Sequence, residues 1–533
     1  MSIDPSQPLT DGRVIAVDLG STNTVVAAAE PGGEVQILSL GDLSRPVDEH
    51  TPPLAPSVIY VRDAAKLDLL AGWQVAAAGL DQPDDPRLLT GFKRRIASAM
   101  GGLDPLLDGL EISPERAAGW FLTAVLQAVP GLDRNHDNVV FTVPVGSFQP
   151  YLDWLESYWP ARRWRVVDES TAAALGYGVA APGRRVLTVD LGGGTLDVSL
   201  VRLPDSLEPG AQPLVATVIA KVGQVLGGDD IDGWLLDHLL ARLGVDAEIA
   251  KAARPRLLRA AESTKIALST AAEAPFEAAD PRGNGRLAAS VTRDELEEVL
   301  IAHDFLARLQ ACLESCLRQA ERKGVAKEDI EQVLLVGGTG LVPAVRRAVQ
   351  ANFGAARVRS EHVFTAAARG AARLGLGMAV RDFLYHSYAV RGWNHVGRRH
   401  EYDLVVPALS PYPFIEPVVR EYAASSPNQP AMELFLGEIE HGDVSRPEVI
   451  LEDRRVRVLN APQPAHRYAL VDADRVVPLN NGTVVPLDPP GHPGINRVRV
   501  TFTVDERRRL RITVLDIQTG RALLSDQAVA MLT

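Results

Sequence analysis

Cysteine is nearly absent from this 533-residue chain, with only Cys312 and Cys316. The two stand four apart in FLARLQACLESCLRQA and share a predicted helix face with Leu309 and Leu313. They therefore read as buried reduced thiols, with no His or Cys at metal spacing beside them. Positive charge is also in deficit, 55 Lys and Arg against 67 Asp and Glu, giving a net charge of −12. That balance argues against a nucleic-acid partner, because phosphate backbones attract basic surfaces. No run of about 18 uncharged apolar residues occurs, so no membrane span is expected. The start, MSIDPSQPLTDG, lacks a basic region followed by an apolar core, and a cytoplasmic location is expected. Low-complexity segments and heptad arrays are missing too.

What is present is an ordinary globular composition, 46% hydrophobic and 23% charged, at a length that predicts several domains. The most informative stretch is 186–202, VLTVDLGGGTLDVSLVR. A strand runs into Asp190, three glycines (Gly192, Gly193, Gly194) open onto Thr195, and an alternating strand carries Asp197. This reads as a hairpin whose turn is the size of a phosphate, with backbone N–H groups and a hydroxyl for the anion and two carboxylates for a hydrated divalent cation. One glycine turn says little. The frame recurs, however, at 14–30, VIAVDLGSTNTVVAAAE, where Asp18, Gly20, Ser21, Thr22 and Asn23 follow the same strand pattern. Two such lobes imply a cleft in which two hairpins grip one polyphosphate from opposite sides.

Along the chain, LLTGFKRRIASA at 88–99 is amphipathic and basic, and Lys93 within it reads by spacing alone as a solvated charge. Ser113, Pro114 and Glu115 open a helix, and 139–143 is a short strand ending at Pro144. DESTAAALGYG places Asp168 and Glu169 at the start of an alanine-rich helix, where a carboxylate is often only a dipole partner. A strand at 214–222 leads to Gly227, Gly228, Asp229, Asp230 and Asp232, then a helix at 233–243. A helix at 252–271 has Glu262, Lys265 and Ser269 on one face, as a surface salt-bridged face would. More helix follows at 293–322, and a strand at 333–336 delivers Gly337, Gly338, Thr339 and Gly340 to another helix. From about 380 the texture changes. An aromatic and basic stretch, 381–400, reads as a linker, with His386, His395 and His400 too irregular for a metal site. Alternating strands follow, including a hairpin at 497–504 and 509–515. The expected organisation is a two-lobed domain over 1–380, the linker 381–400, and an all-β, sandwich-like domain over 401–533.

Eight segments in order carry a resemblance: DLGSTNT, GFKRRI, TVP, DESTAAALGYG, DLGGGTLDVS, LGGDDID, AESTKIALS and LLVGGTGLVP. Together they resemble the DnaK family of seventy-kilodalton heat-shock chaperones, within the actin-like (ribonuclease H-like) ATPase superfamily, over 14 to about 377 and more weakly through the β tail. The resemblance implies an α/β two-lobed ATPase domain followed by a β peptide-binding domain. It implies Asp18, Asp190 and Asp197 arranging Mg²⁺, its waters and the attacking water, and Ser21, Thr22 and Thr195 bonding the β- and γ-phosphates. Lys93 resembles the lysine that orients the nucleophile. Glu169 resembles the carboxylate that helps place metal and water, so Asp18, Asp190 and Glu169 are the expected metal set. Glu262, Lys265 and Ser269 match positions that clasp adenosine, while Gly227, Gly228, Gly337, Gly338, Thr339 and Gly340 match loops around ribose and phosphates. Further implications are slow hydrolysis of ATP to ADP used as a timer, extended peptide or client-protein partners, a J-domain co-chaperone and a nucleotide-exchange factor.

The sequence also departs from that pattern. Leu341 stands where the family has an arginine, VGSFQPYLDWLESY lacks the family's arginine relay, and DFLYHSYAVRGW replaces an acidic, leucine-rich linker. The sequence ends at Thr533 directly after the β region, so the helical lid that closes over peptide is expected to be missing, with rapid peptide exchange as the result. A second reading keeps ATP binding but makes the chain a structural switch or scaffold for one dedicated protein partner, with negligible turnover. A sugar or carboxylate kinase would need a second substrate pocket, and filament formation would be obstructed by the β tail.

Overall fold

The structure is a computed structural model. It describes residues 12–46, 52–97, 104–145, 149–158, 164–177, 183–205, 215–377, 379–384, 386–394, 399–408, 410–412, 416–439, 449–452, 455–458, 470–471, 476–480, 482–505 and 508–532. The chain divides into two compact units, Met1–Arg381 and Asp382–Thr533.

The first unit contains the same five-strand arrangement twice. In one sheet the order is Trp164–Asp168, Asn138–Val143, Val14–Leu19, Asn23–Ala29 and Gln36–Ile37. The first three run parallel and the last two follow antiparallel. In the other the order is Val358–Arg359, Gln332–Val336, Arg185–Leu191, Leu196–Arg202 and Val215–Gln224, again three parallel and two antiparallel. Residues 379–381 add a parallel edge beside Val215–Gln224. The parallel strands are unbroken apolar runs, VIAVDL and NVVFTV among them, as a sheet covered on both faces requires. The repeated turn thus lies within a repeated lobe, which is the actin-like plan.

Two alanine-rich helices lie between the sheets. Glu169–Tyr177 packs on Arg185–Leu191 and Leu196–Arg202, Ala366–Gly375 packs on Val14–Leu19 and Asn138–Val143, and the two helices pack on each other. They touch through backbone. A Cβ on Gly176 would lie 1.9 Å from Ala366 O, and one on Gly370 would lie 1.7 Å from Ala172 O.

The helical stretch 293–322 is two helices, Arg293–Ala302 and Phe305–Arg322, interrupted at Asp304, whose φ is 54°. Cys312 and Cys316 are buried and unbridged on the second of these, and burial pushes the Cys312 thiol up to about 12. The helix expected at 233–243 begins earlier, at Gly228. The Gly227 N–H donates to Asp230 Oδ2 at 2.8 Å, so an aspartate from the first turn reaches back to hold the entry.

The second unit is all-β. One sheet has the order Leu470–Val471, Arg399–Val406, Ser387–Asn394, Leu436–Ile439 and Val476–Pro478. A second has Val418–Ala423, Asn496–Val504, Arg509–Asp516 and Ala522–Met531, and Gln429–Leu434 pairs with Thr483–Gly491. The expected hairpin is present as Asn496–Val504 and Arg509–Asp516. The segment 381–400 is strand rather than linker over much of its described length. Ser387–Asn394 is the middle strand of its sheet, because Tyr388 and Val390 alternate inward under a texture of basic and aromatic side chains. His386 is buried beside Glu438 and the His400 ring packs on Trp393, while His395 lies outside the described residues.

Candidate nucleotide site

The two turns that the sequence repeats come together. The first, between Leu19 and Asn23, is fixed by Ser57, whose hydroxyl donates to Gly20 O at 2.7 Å and whose N–H donates to Thr22 O at 2.9 Å. The second is closed by the Gly192 N–H donating to Thr195 O at 3.1 Å. A Cβ on Gly193 would sit 2.6 Å from Thr22 Oγ1, and one on Gly194 would sit 3.1 Å from Ser21 Oγ. Neither glycine has positive φ. Close approach, rather than an unusual backbone conformation, therefore demands glycine here.

The other glycine loops stand behind the second turn. The Gly228 and Asp229 N–H groups donate to Gly192 O (3.0 Å) and Gly193 O (2.8 Å), and Thr339 Oγ1 donates to Gly192 O at 2.9 Å. A Cβ on Gly228 would be 2.7 Å from Thr339 Oγ1 and 2.9 Å from Lys265 Nζ. Gly337 has φ 78°, and its Cβ would be 2.9 Å from Asp190 Oδ1. Gly227, Gly228, Gly337 and Thr339 thus stand against the second turn, whereas Gly338 faces Phe364 and Gly340 faces Leu335.

Below the turns lies a cluster of charge. Asp18 stands one residue before the end of its strand and accepts from Thr142 Oγ1 at 2.6 Å. Lys93, on the short helix Phe92–Ala97, is 3% exposed and paired with Glu169. This corrects both readings made from spacing alone, since the lysine is not solvated and the glutamate is not merely a dipole partner. Asp190 and Asp197 are cross-strand partners. The Val145 N–H donates to Asp197 Oδ1 at 2.9 Å, while Asp197 Oδ2 is buried without a hydrogen-bond partner among the described residues.

Four carboxyls therefore face one ammonium. Burial raises Asp18 and Glu169 above the usual carboxylate range, with Lys93 opposing the shift. Burial and the neighbouring Glu169 raise Asp190 well above that range and bring Asp197 to about 8. On Lys93, burial works against the charge but Glu169, Tyr151 and Asp18 outweigh it, so the lysine stays protonated. The cluster lacks positive charge, and a divalent cation would supply it.

No three His, Cys, Asp or Glu side chains among the described residues come close enough to ligate one metal directly. Of the expected metal set Asp18, Asp190 and Glu169, the last is engaged by Lys93. Mg²⁺ keeps several of its waters and takes one or two carboxylates together with phosphate oxygens, and the partly exposed Asp18 and Asp190 suit that manner of binding.

On the helix Arg254–Leu268, Lys265 is not part of a surface face. It is buried, donating to Asp232 Oδ2 at 2.8 Å and to Gly228 O at 3.0 Å. Burial pushes Asp232 up to about 7 against the opposing pull of Lys265. Glu262 and Ser269 are partly exposed on the same helix and its end, and Leu341 is 38% exposed. The sequence reading missed Thr142, Asp232 and Arg94. Arg94 bonds Asp230 Oδ1 at 2.7 Å and approaches Asp229 at 3.5 Å. It lies one residue after Lys93, which was the available signal.

Repeated lobes, convergent glycine turns and the charge beneath them define the first unit as an actin-like ATPase-type domain. The comparisons then narrow the class. A family model described as Hsp70 protein matches residues 162–383. The chain is 29% identical over 380 residues to the chaperone protein DnaK of Thermotoga neapolitana, covering 67% of this chain and 58% of that protein. Against the mitochondrial heat shock 70 kDa protein of Solanum tuberosum it is 29% identical over 395 residues, 68% of this chain and 54% of the relative. The chain thus spans little more than half the length of the curated relatives it matches. With the fold, these matches make the chain similar to Hsp70 proteins over its first unit. No helix among the described residues is long and apolar enough to cross a membrane.

Proposed function

We propose that the chain is an ATP-dependent chaperone of DnaK type, binding and slowly hydrolysing ATP in the first unit to control peptide or client binding by the second. The observation that carries this reading is the meeting of the two turns above the buried Lys93–Glu169 pair. Ser21, Thr22, Asn23, Gly192 to Gly194 and Thr195 hold the β- and γ-phosphates. Glu262, Lys265 and Ser269 hold the nucleoside, with Gly227, Gly228 and Gly337 to Gly340 around it. Lys93 places the attacking water and offsets charge as it develops on the γ-phosphate, Glu169 holds Lys93, and Asp18, Asp190 and Asp197 order the surrounding water. Mg²⁺, when bound, neutralises phosphate charge. A J-domain co-chaperone, an exchange factor and a cytoplasmic location belong to the same reading.

A second reading, a nucleotide-dependent switch for one dedicated partner with negligible turnover, is favoured by the segment 381–400. In place of the acidic linker of the family it folds largely as strand. Single-turnover ATP hydrolysis with and without unfolded peptide separates the two. Phosphate release that peptide accelerates supports the chaperone, and tight ATP binding without detectable release supports the switch.

A further inference from the structure

Glu169 owes its position to residues on either side of it, and both are tied to the opposite lobe. Asp168, the last residue of Trp164–Asp168, bonds Lys221 Nζ at 3.0 Å, and each side chain of the pair is 1% exposed. Ser170, the residue after Glu169, has its hydroxyl 2.6 Å from Ser199 Oγ, with both residues fully buried. Lys221 and Ser199 are direct cross-strand partners in Val215–Gln224 and Leu196–Arg202. One rung of the second lobe's sheet therefore grips the residues before and after Glu169 at the strand-to-helix junction of the first lobe.

Stability alone is a weak reason for such a pair. Removing two charges from water costs about as much as their attraction returns, and a well-packed apolar pair often does as well. What the pair adds is orientation. Glu169 is the first residue of its helix, so fixing the backbone on both sides fixes the direction in which its carboxylate leaves toward Lys93. Lys221 also neutralises Asp168, whose bare carboxylate would stand against Glu169.

We infer that Lys221, through Asp168 and together with the Ser199–Ser170 bridge, is a positioning residue for Glu169 and links the second lobe to the hydrolytic pair of the first. The inference rests on the ATP-hydrolysis reading above. Neither Lys221 nor Asp168 is placed in contact with nucleotide.

The test uses the full chain as wild type, Lys221→Met, Lys221→Arg and the double variant Asp168→Asn/Lys221→Met. Three quantities are read: affinity for a fluorescent ATP analogue, the single-turnover hydrolysis rate, and thermal unfolding with hydrogen exchange over 164–177 in the absence of nucleotide. Lys221→Met should slow hydrolysis by about 10²-fold, the scale of a small misplacement of a reacting group, with affinity changed less than about threefold. Lys221→Arg should recover most of the rate. The double variant buries no lone charge and should unfold near the wild-type temperature, yet remain slow and exchange faster over 164–177. A double variant that hydrolyses at the wild-type rate, or a Lys221→Met protein unchanged in rate and exchange, overturns the inference. If wild type itself releases no phosphate, the ATPase reading fails. Exchange over 164–177 then judges the pair alone, unchanged protection in Lys221→Met again overturning it.

Discussion

In the first unit Asp18, Glu169, Asp190 and Asp197 crowd a single lysine, and burial drives all four carboxyls upward. In the second, Glu421 and Asp526 are held below the usual range by Arg499 and Arg511. Asp516 is held below it too, because the Thr519 and Gln518 N–H groups and Arg497 outweigh its burial. The same residue type thus does opposite work. Acids without enough partners cost the first unit stability, a cost that a bound cation would relieve. Acids with a partner each fasten neighbouring strands of the second, as Arg497 does to Asp516 at 2.8 Å.

The contrast is broken most sharply at Lys93. On the proposed function, in which the lysine acts on the transition state, Lys93→Ala should slow single-turnover hydrolysis by orders of magnitude while ATP affinity changes little. Equal losses in rate and affinity would count against its assigned place. In the second unit the matching disruption is Arg497→Ala, which leaves Asp516 buried without its arginine. A stability loss of about 3 kcal/mol or more is expected in urea unfolding, with no change in ATP affinity. A Cβ added to the first unit's interhelical contact by Gly370→Ala must displace the Ala172 carbonyl, at an expected cost of about 2 kcal/mol. A melting temperature equal to wild type would show that the helices can separate freely.

The smallest effect sharpens the comparison through pH. Asp197 and Asp232 stand at about 8 and about 7 when folded, against 3.8 when unfolded. At the Asp197 cluster and at Asp232 the folded first unit holds protons that its unfolded chain releases, so without nucleotide the contribution of these groups to stability should fall as pH rises from about 4 to about 8. Glu421, Asp516 and Asp526 are shifted the other way. Their contribution is present at neutral pH and should fade only as pH drops through and below the ordinary carboxylate range. Hydrogen exchange on the full chain, read separately in peptides carrying Asp197 and Asp232 and in peptides carrying Glu421, Asp516 and Asp526, should show slopes of opposite sign, and like slopes would remove the distinction.

The turns were legible because everything that makes them is local. Asp190, the glycines, Thr195 and Asp197 lie within eight consecutive residues, and the motif is repeated at Asp18. The environments of Lys93 and Lys265 were not legible, since each buries its charge against a residue remote in sequence, Glu169 and Asp232 respectively. Thr142 was hidden for the same reason, 124 residues from the aspartate it serves. The strand Ser387–Asn394 was masked by composition. Its inward side chains alternate correctly, but arginine, histidine and tryptophan around them gave the segment the look of a tether.

The glycine contact between Glu169–Tyr177 and Ala366–Gly375 has a mechanical consequence. Where helices meet through interlocked side chains, turning one on the other means lifting ridges out of grooves. Here main chain rests on main chain, and what would have to disengage is Arg373, whose guanidinium donates across the joint to Leu175 O at 2.6 Å and to Gly176 O. The joint behaves as a flat bearing pinned by one arginine, unable to admit one further carbon atom between its faces.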